Sequence, residues 1–242
     1  MKNIALLNYH IFCDELSSIL TIDKSKIIIN TINAHSYIVA KKDNKFKLAL
    51  KNSDILLPDC VGIVFASKIL NNRKIKQITG PDLFYYMLEY CNKNKMKCFF
   101  LGSTTETLLK IKKKINNDYS NIAVDYYSPP FKIEFSKEDN EKMISAINKF
   151  NPQVLFIGMT APKQEKWVYD NKDMINAKYI CSVGAAFDFY CGNKKFPGKV
   201  WRQLGLIWLF RFIQEPKRLL YRNIISLPSF AIEVLINKIF KK

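Results

Sequence analysis

The chain of 242 residues lacks most of the signatures that mark the common nucleotide and metal enzymes. It has no Gly-x-Gly-x-x-Gly and no P-loop, which argues against dinucleotide and nucleoside-triphosphate chemistry. It has no Asp-x-Asp pair to hold a metal-bound diphosphate, and no Gly-x-Ser-x-Gly elbow for a serine nucleophile. Two histidines and six scattered cysteines (Cys13, Cys60, Cys91, Cys98, Cys181, Cys191) contain no Cys-x-x-Cys, so no zinc pattern is present. The cysteines read as reduced core residues of a cytosolic protein. No run of about 18 uncharged apolar residues is present, so no transmembrane helix is expected. The segment Met1–Asn8 lacks the apolar run and cleavage site of a signal peptide.

Acidic residues are also scarce. Asp and Glu number 21 against 38 Lys and Arg, for a net charge of +17. Such an excess is either a lysine-rich solvated surface or an attraction to a polyanion, whether nucleic acid or an anionic membrane. The arginines favour a localised role. Apart from Arg73, they all fall in the last quarter (Arg202, Arg211, Arg218, Arg222), interleaved with Trp201, Trp208, Phe210, Phe212 and Tyr221.

With 48% hydrophobic residues the chain has ample material for a core. Short apolar runs at Ile27–Thr31, Asp54–Leu57, Lys97–Leu101, Ile122–Tyr126, Gln153–Ile157 and Tyr179–Val183 read as buried strands. Between and after them, Ala34–Leu50, Val61–Leu70, Asp82–Asn94, Thr104–Ile115, Lys137–Phe150 and Pro162–Asp170 read as helices. This alternation predicts an α/β, Rossmann-like, mostly parallel sheet with helices on both faces. Ser103 with Glu106 reads as a capping box, and Gly80-Pro81-Asp82 as a helix start. Beyond about Cys191 only helical signals remain, at Val200–Phe212, Pro216–Ile225 and Ser229–Phe240. The expected organisation is a core of residues 1–190 and a small all-α appendage of residues 191–242. On one continuous helix Arg211, Arg218 and Arg222 would share a face, but Pro216 is expected to start a new helix.

Several residues are placed where open α/β sheets bind ligands, at the carboxyl ends of strands. Asp59 follows one such strand and reads either as a general base or as the cap of the helix from Val61. Thr31 and Asn33 end the preceding strand and either reach the same rim or cap the next helix. Gly158 begins a turn into a helix carrying Lys163, Gln164 and Glu165, an arrangement suited to a phosphate or a nucleoside. Asp188, between two phenylalanines, is either a ligand-facing acid or a structural hydrogen-bonder.

Eight ordered motifs then assemble into a resemblance. They are Thr31-x-Asn33, Leu57-Pro58-Asp59-x-x-Gly62, Thr79-Gly80-x-Asp82-Leu83, Phe100-Leu101-Gly102-Ser103, Gly158-x-x-x-Pro162-Lys163-Gln164-Glu165, Val183-Gly184-x-x-Phe187-Asp188-Phe189, Leu204-Gly205-Leu206-x-Trp208-Leu209-x-Arg211 and Glu215-Pro216-x-Arg218-Leu219. The set resembles the WecG/TagA/CpsF family of bacterial glycosyltransferases over about residues 27 to 225. The family includes N-acetylmannosaminyltransferases of wall teichoic acid synthesis. Cys60 and Met159-Thr160-Ala161 depart from its usual pattern.

The resemblance implies transfer of a hexose or N-acetylhexosamine, with inversion and without metal or cofactor, from a UDP-sugar. The implied acceptor is a sugar on a polyprenyl diphosphate at the cytoplasmic face of the membrane. By position, Asp59 matches the catalytic base, with Thr31 and Asn33 beside it. Gly102, Gly158, Lys163, Gln164, Glu165 and Asp188 would serve the UDP site. Arg211, Arg218 and Arg222 would stabilise the departing diphosphate. A peripheral membrane protein that forms homo-oligomers is the matching expectation, with no nucleic-acid partner. The competing readings are an inactive family member and a basic nucleic-acid-binding Rossmann-like protein.

Overall fold

A computed structural model of the chain describes residues 1–195, 197–198, 201 and 206–240, with the backbone alone for Arg218 and residues 221–223. The first element was not anticipated from sequence. Strands β1 (Asn3–Leu6) and β2 (Tyr9–Phe12) form an antiparallel hairpin with Leu6 opposite Tyr9. Its two-residue turn has both Leu7 and Asn8 at positive φ, the backbone that a tight hairpin requires. Four-residue strands joined by Leu-Asn carry little of the Asn-Gly signal by which such turns are read.

Six parallel strands make the main sheet: β3 (Ile27–Ile32), β4 (Ile55–Pro58), β5 (Lys97–Gly102), β6 (Ala123–Tyr127), β7 (Val154–Gly158) and β8 (Tyr179–Ser182). Their order across the sheet is β4-β3-β8-β7-β5-β6, every neighbouring pair parallel. The expected α/β architecture is therefore present, with each central strand buried on both faces. Alternation along β5 shows why its apolar run is continuous. Phe100 joins Phe84, Phe156 and Phe187 on one face, while Phe99 joins Leu155, Ile157 and Trp167 on the other.

Helices α1 (Ala34–Lys42), α2 (Asn44–Lys51), α3 (Val61–Asn71), α4 (Gly80–Lys93), α5 (Thr105–Asp118), α6 (Lys137–Phe150), α7 (Lys163–Asn171) and α8 (Ala186–Tyr190) cover the sheet. Two expectations need correction. The single helix expected over Ala34–Leu50 is broken at Asp43, whose carboxylate accepts the Phe46 N–H at 2.9 Å and so caps α2. Ser103 does not cap α5: it sits at φ 58°, and Thr104 is the N-cap, its hydroxyl accepting the Thr107 N–H. The helix start read at Gly80-Pro81-Asp82 is present, with proline in the first turn of α4, and the structure adds a Thr79/Asp82 capping box there.

Among the described residues after Cys191, the segment expected as an appendage contains the helices Ile207–Gln214 and Pro216–Tyr221, a π-helical turn Arg222–Ser226, and a C-terminal helix Leu227–Phe240. Pro216 does begin a new helix, so Arg211 and Arg218 lie on separate helices and Arg222 opens the π turn. The C-terminal helix packs on α1 and α3. Phe230 and Val234 are buried there in one apolar cluster with Tyr37, Ile38 and Ile63. Glu233 pairs with Lys41, and His35 Nδ1 lies 2.8 Å from Ser226 Oγ.

Candidate active site

All six strand ends open into one cleft of about 1680 Å³ at the carboxyl edge of the sheet. It is lined by residues following each strand: Asn33, Asp59, Ser103, Ser128, Met159 and Val183. This is the edge at which open α/β sheets bind ligands.

At its β3–β4 end, register does the positioning. Thr31 pairs with Leu57 and Ile32 with Pro58, and the Asp59 N–H continues the ladder to the Ile32 carbonyl at 2.8 Å. Asp59 is thereby held beside Asn33, half-buried in the cleft wall. The N-cap position of α3 is Cys60, one residue beyond Asp59. Asn33 does cap: its Oδ1 accepts the Ser36 N–H at 3.0 Å, and Ser36 Oγ accepts the Asn33 N–H. Capping and lining are compatible, since Asn33 and Thr31 both border the cleft.

The Gly158–Trp167 turn forms the floor. A Cβ on Gly158 would lie 2.2 Å from the Phe187 ring, so only glycine lets that ring close against β7. Gly102 is buried behind the rim and does not border the cleft. At φ +111°, with a Cβ position 2.7 Å from the Gly158 carbonyl oxygen, its contribution is the close approach of two strand ends. The chain passes a cis Ala161–Pro162 bond, and α7 starts with Pro162 as N-cap.

The polar side chains of this turn are arranged differently from a solvated phosphate loop. Gln164 and Glu165 are buried, at 3% and 2% exposure. Gln164 accepts the Met159 N–H on Oε1 and donates from Nε2 to Glu165 Oε1 at 2.9 Å, so both ends of its amide are committed. Among the described residues, Glu165 Oε2 has no hydrogen-bond partner. Burial pushes its pKa up to about 7, against the opposing pull of the Gln164 bond. Lys163 turns aside: its ammonium donates to the Lys132 carbonyl and lies 3.7 Å from the centroid of the Phe135 ring. Burial lowers its pKa.

At the appendage side, Asp188 is ion-paired. Lys194 Nζ lies 3.1 Å from its carboxylate and 2.9 Å from that of Glu215, linking α8 to the end of the Ile207–Gln214 helix. Sequence reading missed both partners, because nothing in local spacing joins Lys194 to an acid 21 positions on. Arg211 borders the cleft with its guanidinium 5.7 Å from the Phe189 ring centroid. The side chains of Arg218 and Arg222 lie outside the described residues. Among the described residues, no group of three or more His, Cys, Asp or Glu side chains is placed to hold a metal ion.

The cleft therefore gathers a carboxylate at one end, a buried acid–amide pair in its floor and a guanidinium brought over by the appendage. A protein from Bacillus subtilis (strain 168) named N-acetylglucosaminyldiphosphoundecaprenol N-acetyl-beta-D-mannosaminyltransferase is 29% identical over 237 residues, 97% of this chain and 90% of its own. Proteins of the same name from Bacillus spizizenii and Staphylococcus aureus (strain MW2) are each 24% identical, over 88% and 87% of this chain and 81% and 80% of theirs. The sequence profile of one family matches residues 2–242, and the chain accordingly belongs to the Glycosyl transferase WecG/TagA/CpsF family.

Proposed function

We propose that this glycosyltransferase moves an N-acetylmannosamine-type hexosamine from a UDP-sugar to N-acetylglucosamine carried on a polyprenyl diphosphate, with inversion and without a metal. The observation that supports it best is the convergence on one cleft of Asp59 from β4 and Arg211 from the appendage. Asp59 takes the proton from the acceptor hydroxyl as its oxygen attacks the anomeric carbon. The bond from that carbon to the diphosphate oxygen breaks, and its electron pair leaves with UDP. Guanidinium groups suit the charge that develops on the departing phosphates. Arg211 is the described candidate, and Arg218 and Arg222 are proposed to join it. Thr31 and Asn33 orient the acceptor. Gly158, Gln164 and Glu165 border the donor, Gly102 shapes the wall behind them, and Asp188 and Lys163 act through their partners.

The acceptor's lipid implies work at a membrane surface. No helix among the described residues is long and apolar enough to cross a membrane. The C-terminal helix nevertheless exposes Ile232, Leu235, Ile236, Ile239 and Phe240, a face fit to lie in the interface of an anionic bilayer. Homo-oligomer formation belongs to the same reading.

Asp59→Asn is the test. With the general base gone, transfer should fall by roughly 10² to 10⁴-fold, while UDP binding measured by calorimetry stays within a few-fold of the parent. Normal turnover by this variant would remove Asp59 from its role. Screening UDP-sugars against a short polyprenyl-diphosphate-N-acetylglucosamine acceptor, with the product identified by mass, names the donor.

A further inference from the structure

Phe131 and Ile133 are the most exposed large apolar side chains of the described protein, at 108% and 94%, and they lie outside the appendage. Single exposed apolar residues are ordinary and mean nothing alone. These two fall within three residues of one another, in the segment from β6 to α6, and both border the cleft. The segment is tethered on either side of them. Ser128 Oγ donates to the Ser103 carbonyl at 2.8 Å, and Lys132 pairs with Asp139 at 2.8 Å. The Lys132 carbonyl is held by Lys163, and Phe135 packs on the core around Trp167. Pro129 and Pro130 stiffen the approach. A fixed base therefore presents two apolar side chains to solvent.

Their place in the sheet gives them a use. β6 is one edge of the sheet and β4 the other, separated by five strand spacings, roughly 24 Å. At the β4 end, α3, which follows that strand and packs against it, carries Phe65, 64% exposed and also bordering the cleft, and the C-terminal helix packs on α3 with its own apolar face exposed. Apolar side chains thus stand at both ends of the edge formed by the strand ends, with the polar cleft between them. The net charge of +17 suits an anionic surface facing that edge.

We propose that the Phe131–Ile133 tip is a second lipid-contact point, inserted at the headgroup–acyl boundary of an anionic bilayer, so that the cleft mouth is held to the membrane at both ends. The choice of partner rests on the transferase reading, in which the acceptor is lipid-linked. One anchor at the C-terminal helix leaves the opposite rim free to swing away from the bilayer. Two anchors on either side of the mouth fix it over the acceptor's headgroup.

The test is the double variant Phe131→Ser/Ile133→Ser of the full chain, sedimented with phosphatidylglycerol vesicles. Each apolar side chain withdrawn from lipid is worth roughly tenfold in partition, so binding should fall at least tenfold. The urea midpoint should hold, because neither side chain is packed. Transfer to an acceptor with too short a chain to enter a bilayer should also hold. In a second variant, Phe131→Trp, added fluorescence should shift to the blue on vesicles and be quenched by brominated lipid. Unchanged partition with no blue shift overturns the proposal. So does loss of transfer to the short-chain acceptor at unchanged partition, which places the tip on substrate, or a fall in oligomer mass, which places it on a second copy. Vesicle binding is read without substrate, so a parent that bound vesicles but transferred no sugar would refute the transferase reading alone.

Discussion

Glu165→Gln isolates the electrostatic cost of the cleft floor. The Glu165 carboxyl is buried, accepts a hydrogen bond from Gln164, and leaves Oε2 with no partner among the described residues. Its pKa rises from 4.5 to about 7 because burial disfavours the charged form. The folded state therefore binds this proton more tightly than the unfolded chain does. Between pH 4.5 and about 7 the native protein carries the extra proton, so stability falls as pH rises through that window. At about 1.4 kcal/mol per tenfold change in proton affinity, the loss through this one side chain is about 3 kcal/mol, fully developed above the folded pKa.

Glutamine has nearly the same shape, keeps an acceptor for the Gln164 amide and does not titrate. Its new N–H lies where Oε2 is and costs about 1–3 kcal/mol if unpaired, but that cost is the same at every pH. The observable is consequently a slope. Urea midpoints of parent and variant, converted to free energies, should diverge in the variant's favour by about 3 kcal/mol between pH 4.5 and about 8. The other carboxylates whose pKa values are shifted, Asp139 and Glu138 among them, are present in both proteins and cancel in the difference. Parallel curves would refute the reasoning and mean that Oε2 finds water or a partner in solution.

Other substitutions report on the remaining supports. Lys194→Met leaves the carboxylates of Asp188 and Glu215 without their shared cation and should raise the donor KM several-fold more than it lowers kcat, with Lys194→Arg restoring it, in steady-state kinetics. Gly158→Ala forces a methyl into the Phe187 ring and should cost about 1–3 kcal/mol by urea denaturation, with weaker UDP binding as the floor shifts. Phe230→Ala should cost about 3–5 kcal/mol, because the ring is 4% exposed and packs edge-on against Tyr37.

The sheet was legible because its signals are local. Val154–Ile157 and Ile55–Leu57 are continuous apolar runs, and such runs between helices admit little besides a buried parallel strand. Gly80-Pro81 and Pro216 act through φ and a missing N–H, which hold in any tertiary context. Asp59 follows β4 and Gly158 ends β7, as read from their motifs, whereas Asp188 lies in the short helix α8 beyond β8; one cleft borders all three together with Arg211. What the sequence hid is non-local. Asp43 breaks a run of helix formers by capping Phe46 and is held by Lys166, 123 residues away. Lys163 looks from its spacing like a phosphate ligand, yet the carbonyl and ring it meets belong to the segment before α6. Glu165 reads as a polar first-turn residue, and only the packed structure shows it buried.

The appendage divides along the same line. Its first helix, Ile207–Gln214, has no buried residue, whereas the C-terminal helix buries Phe230 and Val234 in the core. The part lying over the cleft is therefore the part with least to lose on opening, held by polar contacts such as Lys194 and by the Arg211–Phe189 contact. The part beyond it is anchored by apolar burial of Phe230 and Val234. Such a division fits the role proposed for Arg211, which would meet a diphosphate and then let it go. A helix as deeply packed as the last one would hold the arginine too firmly for product release, and one without that anchor would seldom return.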